Sequence, residues 1–231
     1  MNKQRILGLC AFAFFAFFAG INIAGAADDT AAKPGAETAK IDVDAALAPR
    51  TMGDPKAPVK MEEFASLSCP HCAEFTKDTL EKIKTTYIDT GKVFYTYTDF
   101  PLNAPALKAA MVARCLPADR YFQFTSFLFQ SQDKWAFIED WEPALRQDSK
   151  LLGMSDEIYD ACVNNDALKQ GLATTMQDKA KANHIDSTPT FLFSNGKMLH
   201  GAVPFSEFQK IIDPMLAANA APASGNDTKK N

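Results

Sequence analysis

The first strong pattern in the chain is an alternation of apolar and polar positions. In residues 59–65, apolar side chains occupy alternate positions with Lys60 and Glu62 between them, which predicts a β-strand with one buried face. By this alternation Glu63 falls on the apolar face, whereas Glu62 falls with Lys60 on the face expected to meet solvent. Glu63 is therefore a candidate buried carboxylate, although alternation is an imperfect guide in a central strand and an exposed acid without a role is the alternative.

A helix and a second strand are predicted next. The helical pattern extends from Pro70 to about Thr90, and Gly91 is suited to end it. Residues 93–98 are β-branched and aromatic, which favours a strand. The chain thus begins its folded part, expected from Thr51 onward, as strand, helix and strand.

The middle of the chain is predicted to be helical, and a hairpin follows it. From Leu102 to about Asn183 there is no further clear strand. The predicted helices in this region are Ala104–Cys115, Arg120–Gln130, Trp135–Gln147, Asp156–Asn164 and Ala167–Ala182. Two short strands, 190–193 and 197–200, flank Asn195-Gly196, a dipeptide that strongly favours a hairpin turn. Residues 205–218 predict a closing helix. The fold class is α/β.

Both ends of the chain have patterns that are not typical of a folded domain. Residues 1–26 combine basic Lys3 and Arg5, an apolar stretch and the small residues Ala24-Gly25-Ala26, which predicts a signal peptide cleaved near Ala26. An uncleaved N-terminal membrane anchor is the alternative. Residues 27–50 predict a flexible linker, with a possible short helix at 43–47. Residues 220–231 predict a disordered tail.

Charge and cysteine content narrow the class of protein. The net charge of −4 comes without a cluster of lysine or arginine, which argues against nucleic acid or an anionic membrane surface as a partner. Export would place the chain where disulfides persist. Apart from Cys10 in the leader, four cysteines remain, an even number that suggests two pairs. These are Cys69, Cys72, Cys115 and Cys162.

Cys69-Pro70-His71-Cys72 carries the candidate chemistry. Pro70 fits the first turn of a helix, which makes Cys69 the N-cap residue. There its sulfur would face free backbone N–H groups and the positive end of the helix dipole, which stabilise a thiolate. His71 adds a further donor. Cys72, one turn into the helix, would resolve a mixed disulfide by attacking Cys69. The alternatives are a purely structural disulfide and a zinc site, although no second pair of ligands follows.

Several motifs together resemble the DsbA family of bacterial thiol:disulfide oxidoreductases. They are Cys69-Pro70-His71-Cys72, the upstream Glu63-Phe64-Ala65-Ser66, the later Thr188-Pro189-Thr190-Phe191, and the block of helices between the strands. The resemblance covers roughly residues 52–218. It implies a thioredoxin-like fold over 51–219 with an inserted α-helical domain at about 102–184.

The resemblance also implies roles for individual residues. An acid at the position of Glu63 assists proton movement to and from the thiols. Pro189 would be cis, although an X-Pro bond taken alone is expected to be trans. Thr188 would offer backbone groups to a substrate. Many DsbA proteins have valine there, whereas threonine occurs in some relatives and in disulfide isomerases.

The remaining cysteines, Cys115 and Cys162, both fall in the helical insertion. Some relatives carry a structural disulfide in this part, and the resemblance implies the same pairing here. Two free buried thiols are the alternative.

The function implied is that of a periplasmic protein that introduces disulfides into reduced, unfolded substrate proteins. A DsbB-like membrane quinone reductase would reoxidise it, and we expect a monomer that needs no metal or organic cofactor. A disulfide isomerase or reductase of the same fold is the nearest rival. A binding module without redox activity is the other, against which the intact C-x-x-C argues.

Overall fold

The computed structural model describes residues 40–220, and within them a mixed five-stranded sheet forms the centre of the fold. The strands are β1 (Arg50–Met52), β2 (Val59–Ala65), β3 (Val93–Asp99), β4 (Thr190–Phe193) and β5 (Met198–His200). Their spatial order is β1-β3-β2-β4-β5. Only β2 and β3 pair in parallel, and the other neighbours are antiparallel.

Along the chain, helices precede β1, connect β2 to β3, fill the long connection between β3 and β4, and follow β5. They are α1 (Val43–Leu47), α2 (Pro70–Phe75), α3 (Glu81–Ile83), α4 (Ala104–Cys115), α5 (Tyr121–Gln130), α6 (Gln132–Trp135), α7 (Trp141–Leu151), α8 (Asp156–Val163), α9 (Asp166–Asn183) and α10 (Phe205–Ala220). Two π-helical segments, Thr76–Leu80 and Lys84–Ile88, extend α2 and α3 into one helical run. This order confirms the predicted α/β architecture with a helical block before the hairpin.

The central strand β2 carries the candidate residue Glu63 and leads into the loop before Cys69. Its alternate residues Val59, Met61, Glu63 and Ala65 are each at most 1% exposed, in agreement with the predicted buried face. Phe64, on the opposite face, is buried as well, because helices cover both sides of the end of the strand. On that opposite face the ammonium of Lys179 in α9 pairs with Glu62, which is therefore half-buried rather than freely solvated.

Ordered structure begins before Thr51, where the sequence pattern predicted a flexible linker up to residue 50. The short helix predicted at 43–47 is present as α1. Asp42 caps α1 by accepting a hydrogen bond from the backbone N–H of Ala45 at 3.0 Å. The guanidinium of buried Arg50 donates to carbonyls at the end of α1, including Ala48 at 3.1 Å, and to the carbonyl of Arg114 at 3.1 Å. These bonds fix the segment to the domain and place Arg50 in β1.

Contacts with distant helices explain why the sequence pattern did not predict that this segment is fixed to the domain. Arg114 in α4 also donates to the carbonyl of Ala46, at 2.9 Å, and binds Asp99 through its Nε at 2.5 Å. A β-carbon at Gly171 in α9 would lie 2.3 Å from the side chain of Leu47, so α1 packs where α9 has no side chain. A three-residue strand such as β1 is also too short to show an alternation.

The helical block matches the predicted helices except in its middle. The side chains of Asn103, Ser155 and Asn165 cap α4, α8 and α9 by accepting backbone hydrogen bonds. The single helix predicted for 135–147 is two helices, α6 and α7, separated by residues 136–140. Trp135 is fully buried and its indole N–H donates to the carbonyl of Leu128 at 2.9 Å, which ends α6 against α5.

The ends of the chain are only partly described. Helix α10 extends to Ala220, two residues beyond the predicted end, whereas the rest of the predicted tail lies outside the described residues. The predicted signal peptide at 1–26 and most of the predicted linker also lie outside them. Within residues 40–220, no helix is both long and apolar enough to cross a membrane.

Candidate active site

Cys69 lies where the loop after β2 enters α2. The backbone of Cys69 is extended (φ −83°, ψ 119°), and Pro70 follows at the first helical position, as the sequence predicts. The carbonyl of Cys69 accepts hydrogen bonds from the N–H groups of Cys72 and Ala73, at 3.1 and 3.2 Å. Its side chain does not cap the helix as a hydrogen-bond acceptor, so the sulfur remains available at the helix N-terminus.

The surroundings of Cys69 favour its thiolate. A hydrogen bond from the Cys72 thiol is the largest cause that lowers the pKa of Cys69 to about 5. Burial opposes this effect, whereas the side chain of Thr188 and the backbone N–H groups of Cys72 and His71 lower the pKa further. Cys69 is 6% exposed and its thiol is free. It thus combines a stabilised anion with a sulfur at the edge of the surface.

Cys72 has the opposite environment. It is fully buried, and its thiol is free. Burial raises the pKa of Cys72, and the nearby Cys69 sulfur and Glu63 carboxyl raise it further. The two cysteines therefore hold a single proton in the reduced protein over a wide pH range, with the charge on Cys69 and the proton on Cys72.

Glu63 lies buried on β2 and interacts electrostatically with both cysteines. Its side chain accepts a hydrogen bond from the hydroxyl of Tyr95, and its other oxygen, Oε1, has no hydrogen-bond partner among the residues that the structure describes. Burial raises the pKa of Glu63 to about 8, an effect that the Tyr95 hydrogen bond partly offsets and the Cys69 charge reinforces. A carboxyl group with such a pKa can release or take up a proton near neutrality.

The Thr188–Pro189 peptide bond is cis and lies against the cysteine pair. The sulfur of Cys69 is 3.4 Å from the carbonyl oxygen of Thr188, to which a thiol can donate. The hydroxyl oxygen of Thr188 is buried and makes no other hydrogen bond within residues 40–220, so the hydroxyl is available to the thiolate. This loop therefore contacts Cys69 through both the backbone and the side chain of Thr188.

His71 contributes through its main chain. Its backbone N–H lowers the pKa of Cys69, as described above. The imidazole lies on the surface, with Nδ1 3.2 Å from a carboxylate oxygen of Glu74. The contribution expected from the imidazole itself stays a prediction.

The other two cysteines form a disulfide away from the C-x-x-C. Cys115 at the end of α4 and Cys162 in α8 are joined with an S–S distance of 2.00 Å. The bond ties two helices of the inserted block together. Cys162 is fully buried and Cys115 is half-buried.

Two residues that the sequence pattern did not single out complete the site. Tyr95 on β3 reaches the carboxyl of Glu63, and Gln132 in α6 reaches the loop before the helix. The Gln132 side-chain amide donates to the carbonyls of Leu67 and Cys69, at 2.7 and 3.0 Å. Both contacts join residues far apart in the chain, so no local spacing could reveal them.

We expect replacement of Gln132 by alanine to lower the free energy of unfolding by about 1–3 kcal/mol, because two buried carbonyls lose a donor. The pKa of Cys69 should also change, since the cap position is no longer held from α6. Chemical denaturation and a thiolate titration measure the two effects. Gln130 provides a control, because within residues 40–220 its exposed amide donates only to Ser126. If Gln132→Ala has as little effect as Gln130→Ala, Gln132 does not anchor the loop.

The fold and the site together define the class of protein. A thioredoxin-like sheet carries a C-x-x-C pair at a helix N-terminus, a cis-proline beside it and a buried acid beneath it. This combination is typical of proteins that exchange thiols and disulfides.

Comparison with known proteins places the chain within that class. A family model described as Thioredoxin matches residues 46–214. The crystal structure of Wolbachia pipientis alpha-DsbA1 is 30% identical, with a TM-score of 0.69, over 74% of this chain and 92% of that one. The chain belongs to the thioredoxin family and, within it, to the DsbA-type thiol:disulfide oxidoreductases.

Two further relatives are similar in sequence or in fold. A protein of Rickettsia typhi whose name describes it as a protein-disulfide oxidoreductase is 35% identical over 146 residues, which are 63% of this chain and 54% of that protein. The chain spans about half the length of the first curated relatives it matches. BdbD from Bacillus subtilis shares the fold, with a TM-score of 0.66 at 20% identity, over 78% of this chain and 97% of that one.

Proposed function

We propose that this protein is an exported oxidase that transfers the Cys69–Cys72 disulfide to reduced substrate proteins. The observation that carries the proposal is the division of roles in the reduced pair, with a stabilised thiolate on Cys69 and a buried thiol on Cys72. Stabilising the reduced form makes the disulfide form a stronger oxidant. The direction of electron flow follows from this difference.

The reaction consists of two exchanges of sulfur bonds. A substrate thiolate attacks the Cys69 sulfur, the Cys69–Cys72 bond breaks, and its electron pair moves to Cys72. A second substrate thiolate then attacks the substrate sulfur of the mixed disulfide and releases Cys69 as a thiolate. Two electrons pass from the substrate dithiol to the protein, and the substrate leaves with a disulfide.

Glu63 supplies the proton that the first exchange requires. The sulfur released at Cys72 has a raised pKa and cannot remain charged in its buried position. The neutral carboxyl of Glu63 protonates it. During reoxidation Glu63 acts in the reverse sense, because its carboxylate removes the proton from Cys72 before Cys72 attacks Cys69.

The location and partners follow from the same role. The N-terminal pattern supports export to the periplasm, where unfolded proteins with reduced cysteines are the substrates. A DsbB-like membrane quinone reductase is the partner that restores the Cys69–Cys72 disulfide. In this proposal the protein works as a monomer.

Isomerase activity is the second candidate, and Thr188 is the observation that favours it. Threonine before the cis-proline is compatible with disulfide isomerases, as noted from the sequence. Thr188 acts on Cys69 as well as on a bound substrate, yet its hydroxyl stabilises the thiolate and thereby favours the oxidase. An oxidase is expected to have a less negative reduction potential than an isomerase, so the reduction potential distinguishes the two candidates.

The test compares oxidation with isomerisation on the purified mature protein. We expect a reduction potential less negative than about −180 mV, whereas reductants of the thioredoxin type lie near −270 mV. We also expect rapid oxidation of a reduced, unfolded protein, poor rescue of a scrambled one, and a monomeric mass in solution. A strongly reducing potential, or efficient rescue by a stable oligomer, would contradict the oxidase.

A further inference from the structure

The hydrogen bond between Tyr95 and Glu63 is the only one that the structure gives to the Glu63 side chain within residues 40–220. Tyr95 lies on β3 beside Met61 in the parallel register, and its ring spans the short distance along the sheet to Glu63 on β2. Both side chains are 1% exposed. Water therefore has little access to the carboxyl, and the phenol hydroxyl is its one fixed polar contact.

The other groups that face Glu63 do not offer the same support. Cys69 and Cys72 approach from the loop and α2, and a negative charge on Cys69 disfavours a carboxylate at Glu63. From β4, the residue paired with Glu63 is Phe191, which does not titrate. Tyr97 is paired with Glu63 on β3, but its hydroxyl donates to the carbonyl of Ala65 at 3.5 Å.

Tyr95 is suited to remain a hydrogen-bond donor throughout the reaction. Burial, the Glu63 carboxyl and the phenol of Tyr121 all raise the pKa of Tyr95 well above its ordinary value. The phenol therefore stays protonated whatever the state of Glu63. A neutral donor at this position stabilises the carboxylate more than the carboxylic acid.

We propose that Tyr95 is a positioning residue that holds the Glu63 carboxyl beneath the cysteines and lets it ionise in a site that otherwise disfavours a charge. The inference rests on the proposed role of Glu63 in moving the Cys72 proton. Tyr95 should affect reoxidation, because this is the half of the cycle in which Glu63 must be a carboxylate. Substrate oxidation, in which Glu63 gives up a proton, does not depend on Tyr95 in the same way.

Oxidised glutathione provides a defined probe of that half-reaction. The Cys69 thiolate attacks one sulfur of oxidised glutathione, which forms a mixed disulfide and releases one glutathione thiolate. Glu63 then takes the proton of Cys72, the Cys72 thiolate attacks the Cys69 sulfur, and the second glutathione thiolate leaves. Two electrons pass from the protein dithiol to oxidised glutathione, and the closure rate reports how readily Glu63 accepts the proton.

The experiment measures this closure rate against pH by acid quenching and mass spectrometry of the full mature protein. In the native protein the rate should rise as pH passes the pKa of Glu63, which burial raises in the mixed disulfide as in the free dithiol. Tyr95→Phe removes the donor and leaves the ring. We expect it to move the profile about one pH unit higher and to slow closure about tenfold at neutral pH, the size typical of losing a hydrogen bond to a charged group.

Tyr97→Phe is the matched control, because it removes a buried hydroxyl from the same strand that is not hydrogen-bonded to Glu63. Its profile should coincide with that of the native protein. Site-specific 3-fluorotyrosine at position 95 strengthens the donor and should move the profile to lower pH. This second variant keeps the ring and hydroxyl, so it tests the proposal even if Tyr95→Phe does not fold.

Glu63→Gln distinguishes a failure of the proposed role of Glu63 from a failure of the inference about Tyr95. If Glu63→Gln leaves the profile unchanged, the proposed role of Glu63 is wrong and the inference about Tyr95 falls with it. If Glu63→Gln removes the rise with pH but neither change at position 95 moves it, Tyr95 alone is refuted. An equal shift in Tyr97→Phe would also overturn the inference, because it would indicate a general effect of β3 packing. In the Glu63→Gln background, Tyr95→Phe should add nothing.

Discussion

Replacement of Cys69 by serine should abolish dithiol oxidation and remove the acidic thiolate from the titration of the reduced protein. Cys69 is the cysteine whose sulfur lies at the helix N-terminus and whose pKa is lowered to about 5, so it is the one ionised at neutral pH. The remaining Cys72 thiol is buried and its pKa is raised. The ultraviolet absorbance of thiolate, followed against pH, and oxidation of a reduced model peptide measure the two effects.

Cys72→Ser is the informative comparison for this prediction. It keeps Cys69 but removes the thiol that contributes most to lowering the Cys69 pKa, so the titration midpoint should rise above about 5. This variant should still attack a disulfide and then accumulate a mixed disulfide, because no thiol can resolve it. An ordinary alkaline pKa at Cys69 in the native protein would contradict the oxidase mechanism.

The lowered pKa of Cys69 determines whether the stability of the reduced protein rises or falls with pH. In the reduced protein the folded pKa of Cys69 is about 5, against 9.0 as its ordinary value, so the unfolded state binds more protons between these values. The thiolate therefore adds stability above about pH 9, which is lost as pH falls towards 5. Glu63 acts in the opposite sense, because its pKa is raised from 4.5 to about 8 and its burial as a neutral acid is favourable at low pH.

The oxidised protein isolates the Glu63 contribution, since the disulfide does not titrate. Its stability should fall as pH rises from about 4.5 through the pKa of Glu63, which burial raises in this form too, whereas the two contributions oppose each other in the reduced protein. The stability of the reduced form relative to the oxidised form should therefore increase as pH rises. Thermal unfolding of both forms across this range measures the difference.

Local patterns along the chain were sufficient to predict the strands of the sheet core and the cap geometry of Cys69. The β2 segment alternates over seven residues, and a Pro at the first helical position fixes the turn at Cys69. The burial of Glu63 follows from the same alternation. Each of these features depends on neighbours within a few residues.

The features that sequence reasoning missed depend on contacts between distant segments. Arg50 is buried because its guanidinium donates to carbonyls at the end of α1 and to the carbonyl of Arg114, and because it lies over the ring of Tyr121. Arg114 and Tyr121 are both more than sixty residues away in sequence. Tyr95 would be assigned from its strand pattern to an ordinary core position. Gln132 would be assigned to a polar helix surface, because nothing nearby indicates that its amide meets the carbonyls of Leu67 and Cys69.

Replacement of both Cys115 and Cys162 by alanine should lower the free energy of unfolding by about 4 kcal/mol, because the bond closes a loop with a sequence separation of 47 residues. In the chain-entropy account, the disulfide restricts the unfolded chain more than it changes the folded one. Denaturant unfolding of the oxidised proteins measures the loss. Oxidation of a model peptide should stay within about twofold of the native rate, since the bond joins α4 to α8 and not to the C-x-x-C segment.

A background without the catalytic pair makes this effect measurable by itself. In Cys69→Ser/Cys72→Ser, dithiothreitol can reduce only Cys115–Cys162 among the described residues, and it should lower the free energy of unfolding by a similar amount. After Cys115→Ala and Cys162→Ala are added, dithiothreitol should have no effect. If the reduced and oxidised forms of the first variant are equally stable, the bond does not stabilise the domain. If the alanine pair instead abolishes peptide oxidation in a folded protein, the disulfide has a role in the reaction that its position in the helical block does not predict.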